Sequence, residues 1–148
     1  MAANQIDPKI LNFLQKHNIC SLTTLLLDGS PHAAALHYSH QEDPLTLFFS
    51  TENSSKKCQA LLEGNIGKAS VAIGFSEEEW ITLQMDGEIK IIADKGILEK
   101  IYQIHYSKHP NSRKYKDDPN TIFLAFTPTW TRYTDFNTHP PTIISSQG

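Results

Sequence analysis

The sequence predicts a mainly β protein, an antiparallel barrel of about six strands with short flanking helices. Three observations lead there. Apolar, β-branched runs come in consecutive pairs joined by short turn signals, the clearest being Asp28-Gly29 between the runs at 19–27 and 31–39. Helical periodicity appears in only a few segments, near the N-terminus, after Ser55 and at 94–109. About six strands with so few helices suit a small closed barrel better than an open sheet that helices must cover.

The elements follow in order. Asp7-Pro8 opens a helix, since Asp caps it and Pro is tolerated at its first position. Ile10, Phe13, Leu14 and His17 share one face, and Asn18 ends it. Residues 19–27 form a strand, and 31–39 (PHAAALHYS) form its return partner. Alanines are poor strand formers, so something else favours small side chains there. Residues 40–44 read as a polar loop and 45–51 as a third strand. Ser54 or Ser55 caps a short helix with Cys58, Leu61 and Leu62 on its inner side, stopped by Gly64. A fourth strand covers 68–75, a solvated acidic loop 77–79, and a fifth strand 80–92, in which Gly87 marks a bulge. Asp94 starts a helix reaching His109, with Ile97, Ile101, Ile104 and His105 on one face. A charged loop follows. Two last strands, 121–127 and 129–136, are predicted to part at Pro128. Residues 1–137 thus form one domain, and 138–148, with no periodicity, a flexible tail.

Composition narrows the function classes. With 13 Lys+Arg against 16 Asp+Glu, the 148-residue chain carries a formal charge of −3, which argues against nucleic-acid binding. A 39% hydrophobic content excludes a disordered chain. No apolar run of about 18 residues and no secretory leader pattern is present, so a cytoplasmic protein without a membrane partner is expected. Cys20 and Cys58 match no zinc spacing. His32 and His37 are an odd number of residues apart and point to opposite faces of a strand, so no metal site is expected. There is no GxSxG, and no catalytic residue is assigned.

The most informative stretch is FFSTENSSKKCQALL at 48–62. Hydroxyls and two lysines at a helix start, where backbone N–H groups point outward, make an anion site. A capped helix with a solvated lysine pair is the plainer alternative.

F-x-T, a polar loop and S-K-K opening a short helix resemble the FMN-binding split-barrel family that includes pyridoxamine 5′-phosphate oxidase. So do CSLTTLLLDGSPHAAALHY, GKASVAIGF, WITLQMDGEIKII and TIFLAFTPTWTRYTDFN, in that order, over 8–137. The resemblance implies a six-stranded antiparallel split β-barrel and a homodimer with FMN in clefts between its subunits. It places Thr51, Ser55, Lys56 and Lys57 at the phosphate and ribityl chain, and Ala35, Leu36 and His37 beside the ring. Thr82 and Gln84 would offer a hydroxyl or amide, and Trp130 or Tyr133 would cover the ring from the partner chain. The implied activity is flavin-dependent oxidation or reduction of a small-molecule substrate. The alternative is a binding protein without turnover that carries flavin, deazaflavin or haem. The oxidase proper has Arg and Lys where this chain has His32 and His37, and a C-terminal Arg/His motif where this chain has no Arg after Asp135. Pyridoxamine phosphate is therefore not the expected substrate.

Overall fold

Ile19 to His37 folds back on itself at Asp28-Gly29. Strands β1 (Ile19–Leu25) and β2 (Pro31–His37) pair antiparallel from Ile19↔His37 to Leu25↔Pro31. Gly29 takes φ +85°, the left-handed conformation that favours glycine, and Asp28 accepts hydrogen bonds from the Ser30 backbone and hydroxyl. These elements belong to a computed structural model that describes residues 6–146. The rest of the described chain adds α1 (Pro8–Lys16), β3 (Ser39–Glu42), β4 (Leu45–Glu52), a 3₁₀ segment (Lys56–Gly64), β5 (Gly67–Ile73), β6 (Ile81–Ile92), α2 (Lys95–Lys108), a second 3₁₀ turn (Pro110–Tyr115), β7 (Thr121–Asp135) and β8 (Thr142–Ser145).

All pairings are antiparallel, and the sheet order is β2-β1-β5-β6-β7-β4-β3, with β8 also on β7. β2 and β3 stand at opposite ends of that order, yet Tyr38 alone separates them in sequence. One residue spans at most about 3.6 Å. The sheet must therefore curl until its two edges meet, which is the split barrel the sequence predicts. Tyr38 sits fully buried at the seam, and its hydroxyl donates to the Leu14 carbonyl of α1 at 2.8 Å.

Alternation along the strands fills the barrel with Leu22, Leu47, Phe49, Val71, Leu83, Met85 and Phe126. Ile10, Phe13 and Leu14 of α1 and Cys58 and Leu61 of the 3₁₀ segment join this core. β4 and β7 are buried on both faces, because α2 lays Ile101 and Tyr106 against Phe48, Phe123 and Ala125 on the outside. β2 has no such cover, so its outward side chains Ala33, Ala35 and His37 are exposed.

The sheet has eight strands rather than about six, and Ile97, expected on the inner face of α2, is exposed. Residues 39–42, expected in a loop, pair with β4 as β3. Strand 121–135 runs unbroken through Pro128, because the proline lies at a bulge opposite Gly87. Leu62 is exposed, since the 3₁₀ segment leaves helical geometry at Leu62 and Glu63. Glu79 is not simply solvated: its carboxylate takes Lys16 Nζ at 2.5 Å and His17 Nε2 at 2.8 Å. The segment expected to be a flexible tail contributes β8, paired with β7 from Arg132↔Ser145 to Asp135↔Thr142.

Candidate functional site

Thr51 closes β4 and Ser55 precedes the 3₁₀ segment, so both hydroxyls meet at one end of the barrel, with Thr51 Oγ1 3.5 Å from Ser55 Oγ. Ser55 Oγ lies 3.2 Å from Cys58 Sγ and does not cap the segment. Helix starts normally use such a hydroxyl for their own N–H groups. Here it lies between Thr51 and Cys58 instead. Lys56 is exposed and Lys57 half-buried. The Lys57 carbonyl accepts from Thr24 Oγ1 at 3.2 Å, which pins the segment to β1. Thr24 faces His32 across the ladder, so the lysines sit beside the start of β2. Asp28 in the adjoining turn is held below the usual carboxylate range by the bonds from Ser30, with the Lys56 charge adding to them.

Along β2 the alternation sorts the candidates. Ala35 and His37 face outward, while Leu36 packs on the barrel core. The outward face is therefore flat over Ala33 and Ala35, as close approach of a planar ligand requires. Thr23, opposite Ala33 on β1, leads into a hollow of about 450 Å³ with Ser70 and Asp86, where Ser70 Oγ donates to Asp86 Oδ1 at 2.8 Å.

The remaining candidates lie elsewhere. Gln84 and Thr82 are on β6, three strand spacings from β2, which is about 14 Å along the sheet. Gln84 is exposed opposite Arg132. Trp130 on β7 is half-buried, and the Arg132 guanidinium lies 5.3 Å over its ring. One chain thus does not join Thr82, Gln84 or Trp130 to the lysine end of β2. Tyr133 points the other way. It is 6% exposed inside the barrel, edge-on to Phe13 of α1 at 5.9 Å. Trp130 and Tyr133 are three apart on a strand and cannot share a face.

The sequence reading missed a cluster at the seam. His109, which ends α2, donates from Nε2 to the Tyr38 carbonyl at 2.6 Å. Its ring centroid is 5.0 Å from that of His37 and 5.0 Å from that of His105. His105 is 1% exposed, with Nδ1 2.7 Å from Ser39 Oγ. Lys108 donates to the Leu14 and His17 carbonyls at 3.0 and 2.6 Å and lies 4.1 Å over the Tyr38 ring. Burial pulls the Lys108 amine down to about 8, while burial pushes the neighbouring Cys20 thiol up to about 12. The i, i+4 spacing of His105 and His109 was the available signal.

The sequence profile of the family described as pyridoxamine 5′-phosphate oxidase matches residues 6–135, which is most of the chain. The chain belongs to the pyridoxamine 5′-phosphate oxidase family. No curated protein matches it. Among solved structures it is similar to a protein of this family related to general stress protein 26, from Clostridium acetobutylicum, at 20% identity and TM-score 0.70 over 94% of this chain and 92% of that one. General stress protein 26 from Bacillus anthracis gives 21% identity and TM-score 0.68 over 93% and 96%. A heme binding protein from Mycobacterium smegmatis gives 14% and 0.72, over 96% of this chain and 59% of that one. At these identities the structures establish the shared fold. Among the described residues, no helix is long and apolar enough to cross a membrane.

Proposed function

We propose that this member of the family binds FMN and is a flavin-dependent oxidoreductase acting on a small molecule, working as a homodimer. One observation carries the reading. Two lysines and two hydroxyls gather at one end of β2, whose outward face is only alanine for the next turns of the pleat. That is the chemistry of a phosphate beside a surface on which a flat ring can lie. Lys56 and Lys57 would neutralise the phosphate, Thr51 and Ser55 would donate to it, and Ala35 with His37 would border the ring. When bound, the flavin would supply two-electron chemistry; the chain's own residues bind and orient it. Gln84 and Trp130, too distant within one chain, would reach the ring from the second copy. With His32 and His37 in place of the oxidase's Arg and Lys, the substrate is other than pyridoxamine phosphate.

The test is an absorption spectrum of the purified protein and a titration with FMN, repeated on Lys56→Ala/Lys57→Ala. Charge-assisted hydrogen bonds contribute about 1.5–3 kcal/mol each, so the double variant should lose at least about tenfold in affinity. A loss under about twofold counts against the site. FMN at 100 times its Kd should stabilise the fold by about 2.7 kcal/mol.

A second reading, a carrier without turnover, is favoured by the outward face of β2, where His37 is the one titratable side chain. Flavin, deazaflavin or haem would suit such a carrier, with His37 as an axial ligand for haem. An intense absorption band in the blue-violet would select haem; a colourless protein indifferent to FMN sinks both readings.

A further inference from the structure

The turn between β5 and β6 and the end of β7 display three aromatic rings at one spot. Phe75, Trp80 and Phe136 are all exposed, and they line a hollow of about 260 Å³ together with Gly74, Glu77 and Thr82. A dry cavity of about 150 Å³ already admits a benzene-sized group. Among the described residues none of these three rings stacks on another ring, and no lysine or arginine lies over one. Other rings near the surface do carry such a cation: Lys114 lies over Tyr115, Lys116 over Tyr102 and Arg132 over Trp130. At this hollow the π faces are open.

The hollow is held in shape. Trp80 takes φ +56°, a left-handed conformation that is unfavourable for a bulky residue. Its N–H donates to the Ser76 carbonyl at 3.2 Å, and its carbonyl accepts from the Phe136 N–H at 2.9 Å. The second bond ties two of the ring-bearing residues to each other. Gly74 lets the chain turn tightly, since a β-carbon there would meet the Ile81 carbonyl oxygen at 2.3 Å. Glu79 pins the turn to Lys16 and His17 of α1 and to Asn137. Strain that the surroundings hold in place is typical of ligand sites, where it fixes the geometry before the ligand arrives.

Charge selects the occupant. Glu77 is the one ionisable side chain lining the hollow, and among the described residues it has no ion-pair partner. The bases nearby are directed to other carboxylates: Lys16 and His17 hold Glu79, and Lys9 acts on Asp135. Open aromatic faces beside a carboxylate, with no cation of their own, attract a cation from outside. A charge spread over methyl groups gains from the apolar wall as well, whereas a primary ammonium is compact and strongly hydrated. We propose that Phe75, Trp80 and Phe136 form an aromatic cage for the quaternary ammonium group of a free small molecule, with the Glu77 carboxylate as its counter-charge. The cage borders on Thr82 and needs no flavin.

The experiment titrates choline into the full chain and follows the indole ¹H–¹⁵N resonance of Trp80, assigned with Trp130→Phe. Neohexyl alcohol, which has the shape of choline without its charge, is titrated in parallel. The expected result is a saturable shift with choline and binding of the alcohol at least about tenfold weaker. Phe75→Leu keeps an apolar side chain at an exposed position and removes one π face. It should weaken choline at least about threefold and leave the alcohol within about twofold. Glu77→Gln should weaken choline and leave the alcohol unchanged. Equal affinity for choline and the alcohol would make the hollow merely apolar and overturns the cage. So does choline affinity unchanged in Phe75→Leu, or no saturable shift with choline at all. A Trp80 resonance that ignores choline but moves with protein concentration would give this face to a second copy of the chain. A response to phosphatidylcholine vesicles without one to free choline would give it to a membrane surface. Either outcome overturns the small-molecule site.

Discussion

Gly87 of β6 lies opposite Pro128 of β7, and a β-carbon at Gly87 would stand 2.1 Å from the Thr127 carbonyl oxygen and 2.8 Å from Pro128 Cα. The proline has no N–H to give the ladder, and the glycine has no side chain to hold it off. The two strands close over each other where either residue alone would part them. Thr129 Oγ1 secures the bulge by donating to the Asp86 carbonyl at 3.2 Å. Gly87→Ala must push backbone away from backbone. It should cost about 3 kcal/mol, at the upper end for added methyl groups in packed sites. Chemical denaturation checks this, and a midpoint shift equivalent to under about 0.5 kcal/mol would contradict the close approach.

Acid should weaken the seam. Burial first, and then His109, His37 and Lys108, hold the His105 imidazole down to about 3. An unfolded histidine takes its proton near pH 6.5. Between about pH 6.5 and about pH 3 the unfolded chain binds a proton that the folded chain refuses. Stability is therefore full above that window and falls as pH falls through it, by up to ~1.4 kcal/mol per pH unit from this group. His109 is shifted the same way by burial and adds to the slope. Thermal melts at about pH 7 and about pH 5 should show the loss, and His105→Gln should flatten it. Equal losses in the two proteins would locate the acid sensitivity elsewhere.

Ala35 separates binding from folding. Its side chain is exposed on β2, so Ala35→Leu should leave the melting temperature within about 2 °C of the parent, as for a surface change. The added isobutyl group would stand where a ring must approach the strand. FMN affinity should fall by more than about tenfold, or 1.4 kcal/mol. Undiminished affinity in the folded variant would move the ring off β2.

Glu79 ties α1 to the β5–β6 connection. Its carboxylate takes both Lys16 and His17, and its backbone carbonyl accepts from Asn137 Nδ2 at 2.8 Å. Burial pushes this carboxyl up, but the two bonds outweigh it and hold it below the usual range. Glu79→Gln keeps the shape and removes the charge. The expected cost is about 1 kcal/mol at neutral pH, shrinking below about pH 4, where the parent carboxylate also protonates. A cost that is the same at both pH values would mean that the charge plays no part.

Much of this was legible in the sequence because it is local. Alternation, the Asp28-Gly29 turn and the Asp94 cap depend on neighbours a few residues away, and Asp94 does accept from the Ile97 N–H. The lysine end of the site was legible for the same reason, as one continuous stretch. What was not legible depends on partners far along the chain. Pro128 reads as a break until Gly87 is known to face it. The strand at 39–42 is too short and polar to announce itself, and pairs only because β4 lies alongside. Tyr133 resembles a ring cover until the strand's phase places it under Phe13. His109 gains its partner from Tyr38, and nothing near residue 109 foretells it.

Tyr38 has one more effect. It is a splice between two hairpins with no slack on either side, since β2 ends at His37 and β3 begins at Ser39. A strand can slip only by moving its whole ladder, and a two-residue slide of β2 along β1 would drag β3 the same distance along β4. The two hairpins therefore keep each other in phase. An error in one cannot be stored without an equal error in the other, and the barrel is either closed in one alignment or not closed at all.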